Sequence, residues 1–180
     1  MEKNNYFYIS YKKEIEDISI LANKIIDSGW VNSDITIINC SPDYSSYLTQ
    51  IVNHRISFLN NNELFEVIDL PMPYPTMSQV WDTLDREYRH FDKYLAGWIT
   101  KYIEKKDKYL FIDSGTLRGK NFHKVKTAIR NILDSSQYRF ASLYLKSDSI
   151  FTPDFYTEKF DSDKGLVFAW ENLNNPNWDY

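Results

Sequence analysis

The stretch Lys108-Tyr-Leu-Phe-Ile-Asp-Ser-Gly-Thr-Leu-Arg-Gly-Lys-Asn-Phe122 decides how the rest of the chain is read. Tyr109 to Ile112 is an apolar run of buried-strand length, and after Gly119 the positions Phe122, Val125, Ile129, Ile132 and Leu133 recur at helical spacing. Between strand and helix the sequence predicts a turn whose backbone N–H groups, next to the partial positive charge of a helix N-terminus, favour a phosphate. Asp113 is expected at the carboxyl end of the strand, where ligands bind in open parallel sheets. An acid there can hold sugar hydroxyls or a metal-bound water. An ordinary strand-to-helix turn with incidental glycines accounts for the same letters, because short glycine motifs recur by chance.

Working outward, residues 6 to 9 read as a short strand, with Ser10 as a helix cap. Ile15, Ile18, Ala22, Ile25 and Ile26 share a face of a helix over 14–28, and Gly29 stops it. Asp34 to Asn39 is β-branched and short, hence a buried strand. Ser41-Pro42 starts a helix that continues through Tyr47, Leu48, Ile51 and Val52, with proline in the first turn where its missing N–H costs nothing. A strand at 65–70 ends at Pro71, Pro73 and Pro75. From Met77 to Lys106, the residues Trp81, Leu84, Tyr88, Phe91, Leu95, Trp98 and Tyr102 step by threes and fours, predicting a long helix broken or weakened near Gly97. That stripe suits either a homodimer seam or a helix lying on its own core. A strand at 140–145, a loop over 147–164 and a last strand at 166–170 complete an α/β domain with a mostly parallel sheet flanked by helices.

The chain has 180 residues and 43% hydrophobic content, enough for one substantial core, and is expected to be a single domain with 77–106 as a helical insertion. No window reaches the ~18 apolar residues of a membrane span. The start, Met-Glu-Lys-Asn-Asn, lacks an apolar signal core, so a cytoplasmic location is expected. The lone Cys40 excludes an internal disulfide and a cysteine metal cluster. A net charge of −4 argues against a broad basic face for duplex nucleic acid. His54, His90 and His123 are scattered without ligand spacing.

The order of these pieces resembles a type I phosphoribosyltransferase, nearest the hypoxanthine/xanthine group, over most of the chain. Tyr8-Ile-Ser-Tyr11 and the helix after it are similar to the family's opening. Asp34 to Asp43 occupies the place of the strand and loop that grip pyrophosphate. The Asp113 segment resembles the signature for phosphoribosyl pyrophosphate. Ala141-Ser-Leu-Tyr-Leu-Lys146, Pro153-Asp-Phe155 and Leu166-Val-Phe-Ala-Trp-Glu171 are similar to the closing segments that hold the base.

The resemblance implies transfer of the 5-phosphoribosyl group from phosphoribosyl pyrophosphate to a purine-like or other nitrogen acceptor, with Mg²⁺, as in purine salvage. It assigns the catalytic position to Asp113. Ser114, Gly115, Thr116, Leu117, Arg118, Gly119, Lys120 and Asn121 would bind the 5-phosphate and ribose, while Lys146 and Leu166 would hold the acceptor. Ser41 and Asp43 would form the pyrophosphate loop, and Asp113 and Glu171 would hold the metal. Departures from the pattern cluster in these same places. Ser114 replaces the second acid of the signature, and Leu117 stands where purine enzymes carry an Asp that handles the base proton. Ser41-Pro42-Asp43 replaces Arg-Gly-Gly, removing one N–H donor and adding a charge that repels polyphosphate unless a metal bridges them. Gly165 stands where an aromatic ring stacks on the base. These departures suit the alternative of an inactive phosphoribosyltransferase-fold protein that binds a nucleoside monophosphate or a partner in a regulatory role.

Overall fold

In the computed structural model the residues described are 6–31, 35–40, 42–59, 64–70, 91–102, 108–161 and 163–168. Their elements run β1 (Tyr6–Ile9), α1 (Tyr11–Asp27), β2 (Ile35–Asn39), α2 (Pro42–Leu59), β3 (Glu66–Asp69), α3 (Phe91–Tyr102), β4 (Lys108–Thr116), α4 (Lys120–Ile129), β5 (Tyr138–Lys146), β6 (Phe155–Phe160) and β7 (Gly165–Phe168). Five strands form a sheet in the order β3-β2-β4-β5-β6, and β1 pairs with β7 in a separate two-stranded sheet. Every pairing is parallel.

The near-continuous apolar runs of β2 and β4 follow from burial on both faces. Leu110 and Ile112 of β4 join Ile18, Leu21 and Ile25 of α1 and Leu48, Val52 and Ile56 of α2 in one core cluster. Tyr109 and Phe111 face the other way, toward Leu95 and Ile99 of α3 and Phe122, Val125 and Ile129 of α4. The chain is thus a three-layer α/β sandwich. Ser10 caps α1 as expected, its side chain accepting from the Lys13 N–H at 3.2 Å.

Three expectations change. The loop expected over 147–164 contains β6, an edge strand whose pairing with β5 runs from Ala141 opposite Phe155 to Lys146 opposite Phe160. Gly97 does not break its helix, since α3 runs uninterrupted through it. Within α3, Leu95 and Ile99 are fully buried and Trp98 packs beside them, so this part of the aromatic stripe lies on the protein's own core. The remainder of the 77–106 segment falls outside the described residues. Finally, β4 does not stop at Asp113. It pairs with β5 as far as Thr116 opposite Leu145, because β5 supplies a partner for residues whose polar side chains alone do not read as strand.

Candidate functional site

The chain passes from β2 outward to β3, then returns across β2 to β4. This reversal opens a crevice at the carboxyl ends of β2 and β4, the usual ligand position in such sheets. The pairing of β2 with β4 ends at Asn39 opposite Ile112, closed by the Cys40 N–H donating to the Ile112 carbonyl at 2.8 Å. Asp113 to Thr116 therefore continue as a tail held from the β5 side, flanking the crevice.

The turn itself is short. Leu117 and Arg118 lead to Gly119, the N-cap of α4, which has a left-handed φ of 73° and gives no side-chain cap. A Cβ there would lie 2.5 Å from Ser149 Oγ and 2.7 Å from the Phe151 N and Cβ, so the crossover between β5 and β6 fits only against glycine. The first intrahelical bond of α4 is the His123 N–H to the Gly119 carbonyl at 3.0 Å. The N–H groups of Lys120, Asn121 and Phe122 thus have no acceptor within the helix, which leaves them available to an anion.

A cavity of about 600 Å³ opens on this turn. Its wall comprises Asp113, Gly115 to Phe122, Lys146, and Lys164 to Leu166. All the proposed phosphate, ribose and acceptor residues except Ser114 therefore meet in one place. Ser114 is buried and lies off this wall, as expected where successive strand residues face opposite sides. Ser41 and Glu171 lie outside the described residues, as does the side chain of Asp43. Leu166 arrives from β7, and its Cδ2 would sit 2.9 Å from a Cβ at position 115, so the Leu166 side chain packs against the open face of Gly115.

Among the described residues the charges on the wall are unbalanced: Arg118, Lys120, Lys146 and Lys164 face one carboxylate, Asp113. Among the described residues Lys164 has only a long contact with Asp161, at 3.8 Å. Thr116 adds a buried Oγ1 without a hydrogen-bond partner. Such orphaned groups in native proteins are few and call for water or ligand. Behind the wall, burial pushes the Cys40 thiol well up, and the Asp113 carboxylate pushes it further in the same direction. Cys40 is therefore an inert thiol rather than a nucleophile. Sequence reading missed Lys164 and Phe122 as wall residues. The signal for Lys164 was its place two residues before Leu166, in a segment read as loop.

No protein-family model and no curated protein sequence matches the chain. Solved structures do. A purine phosphoribosyltransferase from Pyrococcus horikoshii aligns over 98% of this chain and 99% of its own, with a TM-score of 0.58 at 16% identity. The xanthine-guanine-hypoxanthine phosphoribosyltransferase of Helicobacter pylori aligns over 94% and 97%, with a TM-score of 0.59 at 15% identity. The chain has the phosphoribosyltransferase fold. A hypothetical protein from Neisseria gonorrhoeae, solved with bound ppGpp, shares that fold over 97% of this chain and 93% of its own, with a TM-score of 0.60 at 12% identity. Within the phosphoribosyltransferase fold of this chain, the Asp113 tail, the turn and the start of α4 form one continuous wall of the cavity.

Proposed function

We propose that the cavity binds a phosphoribosyl ligand, and that the protein transfers the 5-phosphoribosyl group from phosphoribosyl pyrophosphate to a nitrogen acceptor with release of pyrophosphate. The observation that carries this reading is the meeting of Arg118, Lys120, Lys146 and Lys164 around the open N-terminus of α4, with Asp113 the one described acid on the wall. The free N–H groups of residues 120–122, the Thr116 hydroxyl and the Arg118 and Lys120 cations suit a 5-phosphate. Asp113 accepts from ribose hydroxyls. Lys146 and Leu166 orient the acceptor. Cleavage of the C1–O bond builds positive charge on the sugar, so the protein acts mainly by positioning two reactants and excluding water.

Mg²⁺ fits this donor set, because it commonly takes one or two carboxylates together with substrate phosphates and keeps several waters. Asp113 would be its described protein carboxylate, with Glu171 as the second, and the ion would supply charge neutralisation on pyrophosphate. Among the described residues no group of three or more His, Cys, Asp or Glu could form an all-protein cage.

A second reading, a regulatory nucleotide binder, is favoured by Leu117, which projects an exposed apolar side chain at the position of a proton-handling acid. The ppGpp bound by the protein of the same fold from Neisseria gonorrhoeae agrees with it. Incubation with phosphoribosyl pyrophosphate, Mg²⁺ and a panel of nucleobases, following pyrophosphate release, separates the two. Turnover with any base supports transfer; tight binding of a nucleoside monophosphate without turnover supports the regulator. Asp113→Asn should weaken nucleoside monophosphate binding by about tenfold or more through loss of charge-assisted hydrogen bonds. Unchanged binding and turnover in that variant would remove the site from this cavity.

A further inference from the structure

We propose that the outer face of α4 is a track for the backbone of single-stranded RNA whose 3′-terminal nucleotide occupies the cavity. This rests on the proposed phosphoribosyl site and adds a polymeric ligand to it. Arg118, Lys120, Lys124, Lys126 and Arg130 fall between Asp113 and Asp134, a stretch with no Asp or Glu, in a chain whose net charge is −4. Phe122, Val125, Ala128 and Ile129 form the buried face of α4. The helical period places Lys120, Lys124, Lys126 and Arg130 on the opposite side, and Lys120, Lys126 and Arg130 are exposed. Among the described residues these three form no ion pair.

A single phosphoribosyl ligand does not account for this row. Arg118 and Lys120 stand where its 5-phosphate sits, whereas Lys126 and Arg130 lie about 9 and about 15 Å further along the helix axis. With the sugar turned toward Asp113, phosphoribosyl pyrophosphate does not extend that way. Helix stability does not account for the row either. The macrodipole rewards Lys126 in the last turn but penalises Lys120 in the first, where no acid stands. A run of phosphates compensates both ends. At the cavity end an anion has a second mark, the buried Thr116 hydroxyl without a hydrogen-bond partner.

The polarity of the strand follows from the two ends of a bound nucleotide. A chain continuing from the 3′-oxygen would start at Asp113, consume a hydroxyl that this carboxylate accepts from, and lead into the crevice between β2 and β4. A chain continuing through the phosphate starts at the turn beside Lys120 and leads onto α4. The second route leaves both ribose hydroxyls free for Asp113, which defines a 3′ end and selects ribose over deoxyribose. An acidic peptide matches the charges on α4 but brings nothing for Asp113. A paired terminal nucleotide cannot enter the cavity, so the strand is single.

The test measures equilibrium binding of the full chain to a 5′-fluorescein oligouridylate of about eight nucleotides, across a salt series, beside uridine 5′-monophosphate. The oligonucleotide should bind about tenfold tighter or more at low salt, with log K falling against log salt at a slope of about −2 to −3. Lys124→Gln combined with Arg130→Gln should flatten that slope by about 0.7 for each cation removed and leave monophosphate binding in place, which shows that the variant is folded. A 3′-phosphate on the oligonucleotide, or deoxyribose throughout, should cost about tenfold. Monophosphate binding with no gain from the oligonucleotide, or a slope untouched by the double substitution, would overturn the track while leaving the phosphoribosyl site standing. Equal affinity for the 3′-blocked strand, or equal competition by polyglutamate, would reduce α4 to a general anion surface and overturn it too. If neither nucleotide bound, the phosphoribosyl site itself would fall.

Discussion

Gly119 holds the turn to α4 for two separable reasons, its left-handed φ of 73° and the contact a Cβ would make with the backbone of Phe151. Gly119→Ala combines roughly 1 kcal/mol of backbone strain with about 1–3 kcal/mol of overpacking. Equilibrium denaturation should show a loss of about 2–4 kcal/mol, with phosphate affinity falling as the N–H groups of residues 120–122 are displaced. Lys13 shows a different control at the same scale. Its Nζ lies 2.7 Å from Glu158 and 3.0 Å from Asp17, while the Tyr144 hydroxyl donates to Asp17 at 2.5 Å. Burial alone would lower the Lys13 pKa, but hydrogen bonds to Glu158 and Asp17 outweigh it and the net direction is upward. A folded-state pKa raised above 10.5 means the stabilisation is full below that pH and is lost as pH climbs through the folded value. Thermal melting should therefore show Lys13→Met less stable than the unsubstituted protein at neutral pH, the difference shrinking as the pH climbs above 10.5.

The elements around the site depend on one another through aromatic packing. Phe151, in the crossover from β5 to β6, lies 4.9 Å from the Phe140 ring centroid and 5.5 Å from that of Phe122. It fixes the start of α4 against β5. Phe151→Ala should cost about 3–5 kcal/mol in denaturant melts, and ligand affinity should drop in the fraction that remains folded. How legible each element was follows from its burial. Helix α1 repeats its apolar face over 17 residues with a cap at Ser10, so the helix is plain in the sequence. Strand β6 is not, because Phe155-Tyr-Thr-Glu-Lys-Phe160 is half exposed along most of its length and sits among Asp, Ser and Pro. The tail of β4 was hidden for a related reason, since Asp113 to Thr116 are strand only because β5 pairs with them.

Across the whole molecule, the parallel sheet lies between two core clusters, and Cys40 directly follows β2 with no exposure. With its thiol pushed up by burial and by Asp113, Cys40 should resist iodoacetamide at neutral pH until the sheet opens. Alkylation measured along a denaturant series should follow the global unfolding curve; rapid labelling of the native protein would show a locally open crevice instead. The sequence by itself determined the α/β class, the strand entering Asp113, the glycine at position 119 and the helix beyond it. These are properties of local periodicity and of a turn whose chemistry is written in adjacent residues. Only the tertiary structure decided that Lys146 and Lys164 share a wall with Arg118 and Lys120, that Ser114 lies off that wall, and that Leu166 closes on Gly115. Those facts depend on strands distant in sequence meeting at one rim of the sheet, and no local pattern records where they meet.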